Sequence, residues 1–396
     1  MIVTSVAFVS AISLALPMLG VGSVGAISKG SSSAHMSPRA VSSVTGTVVF
    51  MIPNTVPSRY IEQDAPDFIA AMKKLAPNVT VQTVNAGGDQ TLQQTQAAAA
   101  ITAGAKALVV VAANPPLSGG LLSYAKDKNV PVIGYENVPI NGPMYAQIEF
   151  SPYQAGALQG QYFAQMVTSG KLGKFPVTLA RIYGNNGDVY NTQMQIGQNK
   201  YLDPLIKSNK VKVVCSSYAA GWAGTAAQDA MSQCLTAQHN KVRSVLTVYD
   251  GETEAIIAAL TSAHLKAGLA TGSVAVFGGQ NPTSTGLALV IQGNQQDDVI
   301  KPNMYEANAA AELTVSALEG KTPAKILSST SAAWSSVDSG KGDMIPTYLL
   351  SEAYVTAGST SGAQIDKYVV KTGTFTWAQI CVGTVASSAV CKKYNK

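Results

Sequence analysis

Charged side chains are scarce in this chain of 396 residues, and that scarcity excludes several classes of protein. Asp, Glu, Lys and Arg make up 12% of it, about half of the roughly 25% typical of soluble proteins. Lys and Arg exceed Asp and Glu by 27 to 22, which is too small an excess for a nucleic-acid-binding protein. Apolar residues reach 46%, so a disordered chain is excluded as well. We therefore expect a weakly charged globular protein that is long enough for two domains.

The motifs of common enzymes and metal sites are also missing. The chain contains no G-x-S-x-G, H-E-x-x-H or C-x-x-C sequence, which counts against hydrolase chemistry and against a zinc site. Its three histidines are not placed beside a candidate nucleophile. The string GVGSVG at Gly20–Gly25 matches the glycine pattern of dinucleotide-binding proteins, but no strand precedes it, so we interpret the match as accidental. No cofactor is expected.

The N-terminus has no charged residue before Lys29, and the segment from Val3 to Val24 is mostly apolar. These features predict a signal peptide over residues 1–28, with cleavage after Ala26. A positively charged start is missing, so a retained membrane anchor is the alternative. Residues 29–45 are rich in serine, which is typical of a flexible tether. We therefore predict an exported protein, periplasmic or at the cell surface.

The four cysteines are expected to form disulfides, because their number is even and they follow a predicted export signal. Three pairings are possible. We favour the two local pairs, Cys215 with Cys234 and Cys381 with Cys391.

Short β-branched runs alternate with helical segments from residue 46 onward, as in the buried run ALVVVAA. Such alternation predicts the α/β class, with parallel sheets covered by helices on both faces. A second series of similar length begins near residue 151, so we expect two doubly wound lobes joined by a hinge of three segments. The first lobe is predicted to contain residues 46–150 and 301–325, and the second 151–300 and 340–396.

Ligands of open α/β sheets bind beyond the carboxyl ends of the strands, so the loops at those ends are the candidate site. The predicted loops carry amides, a few carboxylates, an arginine and several aromatic residues. Hydroxyl groups need donors and acceptors, and the C–H face of a sugar ring packs on an aromatic ring. The composition of these loops therefore favours a polyhydroxylated ligand. Asn114 and Asn191 enter the candidate site on this ground.

Several stretches resemble periplasmic binding proteins of the pentose/hexose class, the solute receptors of ABC sugar importers, and most closely their xylose-binding branch. The resemblance covers roughly residues 46–377. Its more specific parts are VAVFGGQNPTSTGLALVIQGNQQDDVIKP at 274–302 and IPTYLL at 345–350, and VPVIGYEN at 130–137 is a further match. The resemblance implies a type I, two-lobe fold.

The resemblance also implies a set of ligand-binding residues. Arg59 and Tyr60 match a basic residue followed by an aromatic one, and Trp222 matches a second aromatic position. Asn137 and Gln195 stand where the family has arginine, and Asn281 where it has aspartate. This loss of charge predicts a neutral ligand other than xylose. The remaining positions implied by the resemblance are Glu136, Tyr249, Asp250 and Lys301.

Each of these residues also has a purely structural explanation. Arg59 can form a surface ion pair, and the aromatic residues can be ordinary packing residues. Asp250 directly precedes a predicted helix and is better explained as its cap. The amides can be turn residues.

The resemblance implies a monomeric protein that binds a small sugar or polyol and presents it to an ABC permease in the membrane. A sugar-sensing receptor with the same fold is one alternative, and an exported enzyme acting on a sugar is another. Neither nucleic acid nor a cofactor is expected as a partner.

Overall fold

The computed structural model describes residues 41–56, 58–323, 333–338 and 344–396. The predicted signal peptide and residues 29–40 of the predicted tether lie outside the described residues. Within the described part of the chain, no helix is both long enough and apolar enough to cross a membrane.

The first lobe is built from strands that alternate with helices, as the sequence pattern predicts. Strand β3 has five of its six residues buried, which is typical of a parallel strand covered on both faces. The elements in chain order are β1 (Gly46–Ile52), α1 (Ala65–Leu75), β2 (Val79–Asn85), α2 (Gln90–Thr102), β3 (Ala105–Val110), α3 (Gly119–Asp127), β4 (Val132–Tyr135) and β5 (Ala146–Phe150).

The second lobe continues the alternation after the chain leaves β5. Its central sheet, within the described residues, has four parallel strands in the order β7-β6-β8-β9. The elements are α4 (Pro152–Thr168), β6 (Val177–Tyr183), α5 (Val189–Lys207), β7 (Val211–Tyr218), α6 (Gly224–Ala237), β8 (Ser244–Leu246), α7 (Asp250–Ser262), β9 (Ala275–Phe277), α8 (Ser284–Gln292) and β10 (Asp297–Ile300). The predicted fold class, α/β with two doubly wound lobes, is confirmed.

The chain returns to the first lobe after β10. Helix α9 (Asn303–Leu318) packs against α1. Strands β11 (Ala333–Asp338) and β12 (Met344–Leu350) then extend the first sheet, whose order over the described residues is β11-β12-β5-β4-β3-β1-β2. Every neighbouring pair in that sheet is parallel except β11 with β12.

The predicted boundary of the second lobe at residue 340 is wrong for residues 344–350. The run IPTYLL is β12, and its end pairs in parallel with β5, Leu350 opposite Phe150. Tyr348 and Leu350 of this run are buried in the core of the first lobe, so the chain crosses for the third time only after Leu350. The first and third crossings therefore leave neighbouring strands. Beyond the crossing, β13 (Ala353–Thr356) pairs with β10 and is followed by α10 (Ser361–Ile365), α11 (Trp377–Ile380) and α12 (Ala389–Tyr394).

Both predicted disulfides are confirmed. Cys215 in β7 is bonded to Cys234 in α6, and Cys381 after α11 is bonded to Cys391 in α12. The first disulfide ties a strand to the helix that follows it. The second ties the end of α11 to α12.

Glycines allow α4 and α5 to pack closely in the second lobe. A Cβ atom at Gly156 would lie 2.0 Å from the carbonyl oxygen of Met194, and one at Gly197 would lie 2.1 Å from the carbonyl oxygen of Tyr153. Both distances are shorter than any non-bonded contact between these atoms, so a side chain at either position would push the helices apart. The close packing fixes α5, whose N-terminal end reaches the cleft between the lobes.

Candidate functional site

The carboxyl ends of the strands of both lobes surround a cavity of about 310 Å³. This is where ligands of open α/β sheets bind. The first lobe contributes Pro53, Asn54, Val56, Tyr60, Gly88, Ala112, Ala113, Glu136 and Asn137, and the second contributes Asn185, Asp188, Tyr190, Gly221, Trp222, Tyr249, Gln280 and Asn281. The two lobes thus supply nearly equal parts of the wall.

Three aromatic side chains form the second lobe's side of the cavity. Trp222 meets Tyr190 and Tyr249 edge-on, with ring centroids 6.3 and 6.4 Å apart. Its Nε1 donates a hydrogen bond of 3.1 Å to Oδ2 of Asp188. On another side, a Cβ atom at Gly184 would lie only 2.3 Å from the indole ring. The absence of a side chain at Gly184 therefore lets the indole rest against the backbone after β6.

The loop between β6 and α5 holds Trp222 in place through a chain of short polar contacts. Asp188 caps α5, because its Oδ1 accepts hydrogen bonds from the backbone N–H groups of Tyr190 and Asn191. The fully buried Asn191 side chain accepts from the Gly184 N–H at 3.1 Å and donates to the Asn185 carbonyl oxygen at 3.0 Å. Asn191 therefore shapes the loop and is not part of the cavity wall.

Arg59 lies buried beneath the cavity and uses all of its hydrogen-bond donors on other residues. Guanidinium offers five N–H groups. Two are donated to Asp64 at 2.7 and 2.8 Å, and one to Glu306 at 2.7 Å. The remaining two go to Glu136 and to Oδ1 of Asn281, both at 3.1 Å. No donor is left for a ligand, and the contact with Asn281 joins the first lobe to the second.

Lys301 makes the second connection between the lobes. Its side chain is fully buried at the crossing after β10, and its Nζ donates to Oε1 of Glu136 at 2.5 Å and to the Tyr190 hydroxyl at 2.7 Å. The Tyr190 hydroxyl donates in turn to Gln280 at 2.9 Å. Burial lowers the pKa of Lys301, although Glu136 opposes that shift.

The charge of the cavity wall is wholly acidic. Glu136 and Asp188 are the charged residues among the described residues that line it, and no Lys, Arg or His belongs to that described set. Burial alone would raise the pKa of Glu136, but Lys301 and Arg59 lower it below its ordinary value. Glu136 is therefore an ionised carboxylate balanced by cations that lie behind the wall. Such a wall suits a neutral ligand and repels an anionic one.

The structure brings half of the predicted site residues to the cavity. Tyr60, Glu136, Asn137, Trp222, Tyr249 and Asn281 line it.

The other predicted residues lie elsewhere. Arg59 and Lys301 form the ion pairs beneath the cavity, and Asn191 holds a loop. Asn114 and Gln195 do not belong to the wall. Asn114 follows β3, where its N–H donates to Gln90. Gln195 is half-buried further along α5, because the cavity faces only the first turn of that helix.

Asp250 is a structural residue, although it does not cap its own helix. Its carboxylate accepts hydrogen bonds from the Thr283 N–H and from the Gln295 side chain, each at 3.0 Å. It therefore fixes the loop before α8. Burial raises the pKa of Asp250 to about 7.

Five polar residues of the wall are not among those predicted to contact the ligand. Asn54, Asn185, Asp188 and Gln280 lie on the strand-end loops that the sequence indicates, but their residue type alone does not separate a ligand contact from a turn residue. Tyr190 lies in the first turn of α5, just beyond such a loop. Within the described residues, no group of three or more His, Cys, Asp or Glu side chains is placed to hold a metal ion.

The matches to a family model and to known sequences all concern periplasmic binding proteins. The family model described as "Periplasmic binding protein domain" matches residues 48–322. The chain is 28% identical over 265 residues to the D-xylose-binding periplasmic protein of Escherichia coli, covering 66% of this chain and 75% of that protein. It is also 28% identical over 273 residues to the multiple sugar-binding periplasmic protein of Azospirillum brasilense, covering 66% and 72%.

Solved structures agree with this comparison at the level of the fold. An ABC transporter solute-binding protein from Clostridium phytofermentans with bound β-D-glucose superposes with a TM-score of 0.71 at 22% identity. The match covers 84% of this chain and 99% of that one. A carbohydrate transporter solute-binding protein from Chloroflexus aurantiacus in complex with D-glucose gives a TM-score of 0.70 at 18% identity, covering 85% and 98%.

Proposed function

Because this chain belongs to the family of periplasmic binding protein domains, we propose that it captures a small neutral carbohydrate between its lobes and delivers it to an ABC-type sugar permease. The protein is a binding protein and not an enzyme. Its relatives named above are sugar-binding proteins of the periplasm or of ABC transporters, and the proposal extends their role to this chain.

The composition of the cavity wall is the observation that carries the proposal. As far as the structure describes the wall, it combines four aromatic side chains with five amide side chains and two carboxylates, and no cation lines it. Amides donate and accept hydrogen bonds, so they suit hydroxyl groups, and aromatic rings suit the C–H face of a sugar. A phosphorylated or acidic sugar would meet Glu136 and Asp188, and the nearby cations Lys301 and Arg59 are already paired with Glu136 behind the described wall.

The division of the wall between the lobes explains how binding is coupled to closure. A ligand that touches Asn137 on one lobe and Trp222 on the other makes its full set of contacts only when the lobes are closed. It therefore stabilises the closed form by its difference in affinity for the two forms. The permease is expected to recognise that closed form.

The ligand contacts are assigned to the wall residues that have a polar or aromatic side chain. Among the residues predicted from sequence, these are Tyr60, Glu136, Asn137, Trp222, Tyr249 and Asn281. Asn54, Asn185, Asp188, Tyr190 and Gln280 join them. The protein is expected to act as an exported monomer, with residues 1–28 as its signal peptide.

A thermal-shift screen tests the proposal directly. The purified protein is heated with neutral monosaccharides, polyols, sugar acids and sugar phosphates, each in a separate sample. We expect at least one neutral sugar or polyol to raise the melting temperature, and the acids and phosphates to leave it unchanged. Stabilisation by a phosphate or an acid, with every neutral compound inert, would overturn the ligand class.

A further inference from the structure

Two buried carboxyl groups beneath the cavity each have one oxygen without a hydrogen-bond partner. Oε1 of Glu136 accepts from Lys301 and Arg59, and Oε2 of Glu306 on α9 accepts from Arg59. The other oxygen of each group, Oε2 of Glu136 and Oε1 of Glu306, is buried and unpartnered. The exposed fractions of the two residues are 4% and 0%. An unpartnered buried carboxylate oxygen is costly, so this pair needs an explanation.

The charges around Arg59 do not balance if every group is ionised. Arg59 and Lys301 supply two positive charges, whereas Asp64, Glu136 and Glu306 supply three negative ones, all within one set of ion pairs. One extra proton would make the set neutral. The same guanidinium holds the two carboxyl groups side by side, because Nη1 of Arg59 donates to Glu136 and Nη2 donates to Glu306. A proton shared between their unpartnered oxygens would satisfy both of them.

We propose that Glu306 is a positioning residue of the ligand site: as a neutral acid it donates a hydrogen bond to Oε2 of Glu136 and so holds that carboxylate at the cavity wall. The inference rests on the proposed function, because Glu136 is assigned to contact the sugar. Glu306 itself does not line the cavity.

The proton belongs on Glu306 because its partner has more positive charge nearby. Glu136 faces both Lys301 and Arg59, whereas Glu306 contacts Arg59 alone and shares it with Asp64. In agreement, burial and then the Glu136 charge raise the pKa of Glu306 well above its ordinary value, while the pKa of Glu136 is lowered. Each carboxyl therefore has a distinct state at neutral pH.

Other titratable groups surround this pair and must be separated from it in a test. Tyr60 lies on the helical turn that also carries Asp64, Tyr135 at the end of β4 donates to Asp64 at 2.6 Å, and Tyr190 reaches in from α5. Burial raises the pKa of each of these hydroxyls well above its ordinary value.

Two further carboxyl groups approach from the crossing strands. Burial raises the pKa of Glu149 on β5 to about 8 and that of Glu352 after β12 to about 7, and the Glu136 charge adds to both shifts. Only a comparison between wild type and a variant of Glu306 isolates the group in question.

The substitution Glu306→Gln keeps the hydrogen bonds of a neutral acid and cannot ionise. Its amide oxygen accepts from Arg59 and its amide N–H donates to Glu136. The matched variant Glu306→Ala provides neither group. At neutral pH we expect Glu306→Gln to melt at or above the temperature of wild type, and Glu306→Ala to melt several degrees below Glu306→Gln. As the pH rises above about 4.5, the unfolded state releases the proton that Glu306 keeps in the folded state, so wild type should lose stability relative to Glu306→Gln.

An infrared difference spectrum detects the proton on Glu306 directly, whereas a purely structural role of this side chain would not require that proton. Wild type minus Glu306→Gln at neutral pH should show the C=O stretching band of a protonated carboxyl group. Bands of an ionised carboxylate in its place would overturn the proposal, as would an equal loss of stability in both variants. Neither measurement needs a ligand, so the failure of the sugar screen would not be confused with the failure of this assignment.

Binding measurements complete the test with the neutral sugar that the screen identifies. We expect Glu306→Gln to keep the dissociation constant within about threefold of wild type, and Glu306→Ala to weaken binding by about tenfold. Equal affinity of Glu306→Ala and wild type would contradict a positioning role. Equal weakening by both variants would contradict the neutral acid.

Discussion

The substitution Gly184→Ala tests how the cavity holds its aromatic wall. A Cβ atom at this position would lie 2.3 Å from Cζ3 and 2.5 Å from Cη2 of Trp222, whereas carbon atoms pack about 3.5–4.0 Å apart. The indole must therefore move by about 1 Å. That movement also disturbs the hydrogen bond between Trp222 and Asp188. A methyl group on one residue thus displaces the ring that we assign to the sugar.

The expected size of the effect follows from what the indole contributes. An aromatic side chain that anchors a ligand typically contributes about 2 kcal/mol or more, so Trp222→Ala should weaken binding roughly 30-fold. Gly184→Ala keeps the ring but displaces it, and we expect a loss of about 1 kcal/mol, roughly fivefold in the dissociation constant. Trp222 is only half-buried, so neither variant should lose much folding stability.

Calorimetric titration of four proteins with the identified sugar provides the measurement. They are wild type, the two single variants and the double variant. If Gly184→Ala acts through the indole, it should weaken wild type and have no further effect once Trp222 is alanine. Equal weakening in both backgrounds would refute the reasoning, and so would an unchanged affinity of Gly184→Ala. Thermal unfolding of the same samples controls for loss of the fold.

Three further predictions concern the wall, the disulfides and the pH dependence of stability. Asn137→Arg should weaken binding of a neutral sugar about tenfold or more, because the larger side chain fills part of the cavity and replaces an amide that can donate and accept. Gln195→Arg lies outside the wall and should leave the calorimetric affinity unchanged, and equal effects of the two substitutions would contradict the site. Replacing Cys215 and Cys234 together by serine should lower the free energy of unfolding by roughly 3 kcal/mol in denaturant titration, and an unchanged value would contradict a stabilising role. Burial raises the pKa of Glu252 to about 8, so between about pH 4.5 and pH 8 the folded state holds a proton that the unfolded state has released. The free energy of unfolding should therefore fall as the pH rises through that window. It should fall further in wild type than in Glu252→Gln, and an equal fall in both would contradict the assignment to Glu252.

The order of strands and helices could be predicted from the sequence because each buried strand is a local run of β-branched residues. β1, with the sequence GTVVFMI, begins at Gly46, where the predicted alternation begins. The position of IPTYLL could not be predicted, because its lobe depends on which strand it pairs with. Its partner β5 ends at Phe150, 200 residues before Leu350. Nothing in the composition of the run identifies that partner.

The sequence indicates which loops surround the cavity better than it indicates what each residue on those loops contacts. Trp222, Tyr249 and Asn281 stand at strand ends, and strand ends converge at the cavity. Arg59 was expected to contact the ligand, but its guanidinium is occupied by Asn281 and Glu306, which are 222 and 247 residues away in the chain. Only folding brings those partners together. A residue's type and position indicate that it is near the site, whereas its partners decide what it does there.

The central claim is that the cavity between the lobes binds a neutral carbohydrate. Calorimetric titration of wild type with the neutral sugar found in the screen, and with the phosphate ester of that same sugar, tests it most directly. We predict a dissociation constant in the micromolar range or tighter for the neutral sugar, about −8 kcal/mol, and binding at least 100-fold weaker for the phosphate. A phosphate that binds as tightly as the neutral sugar, or more tightly, would contradict the account.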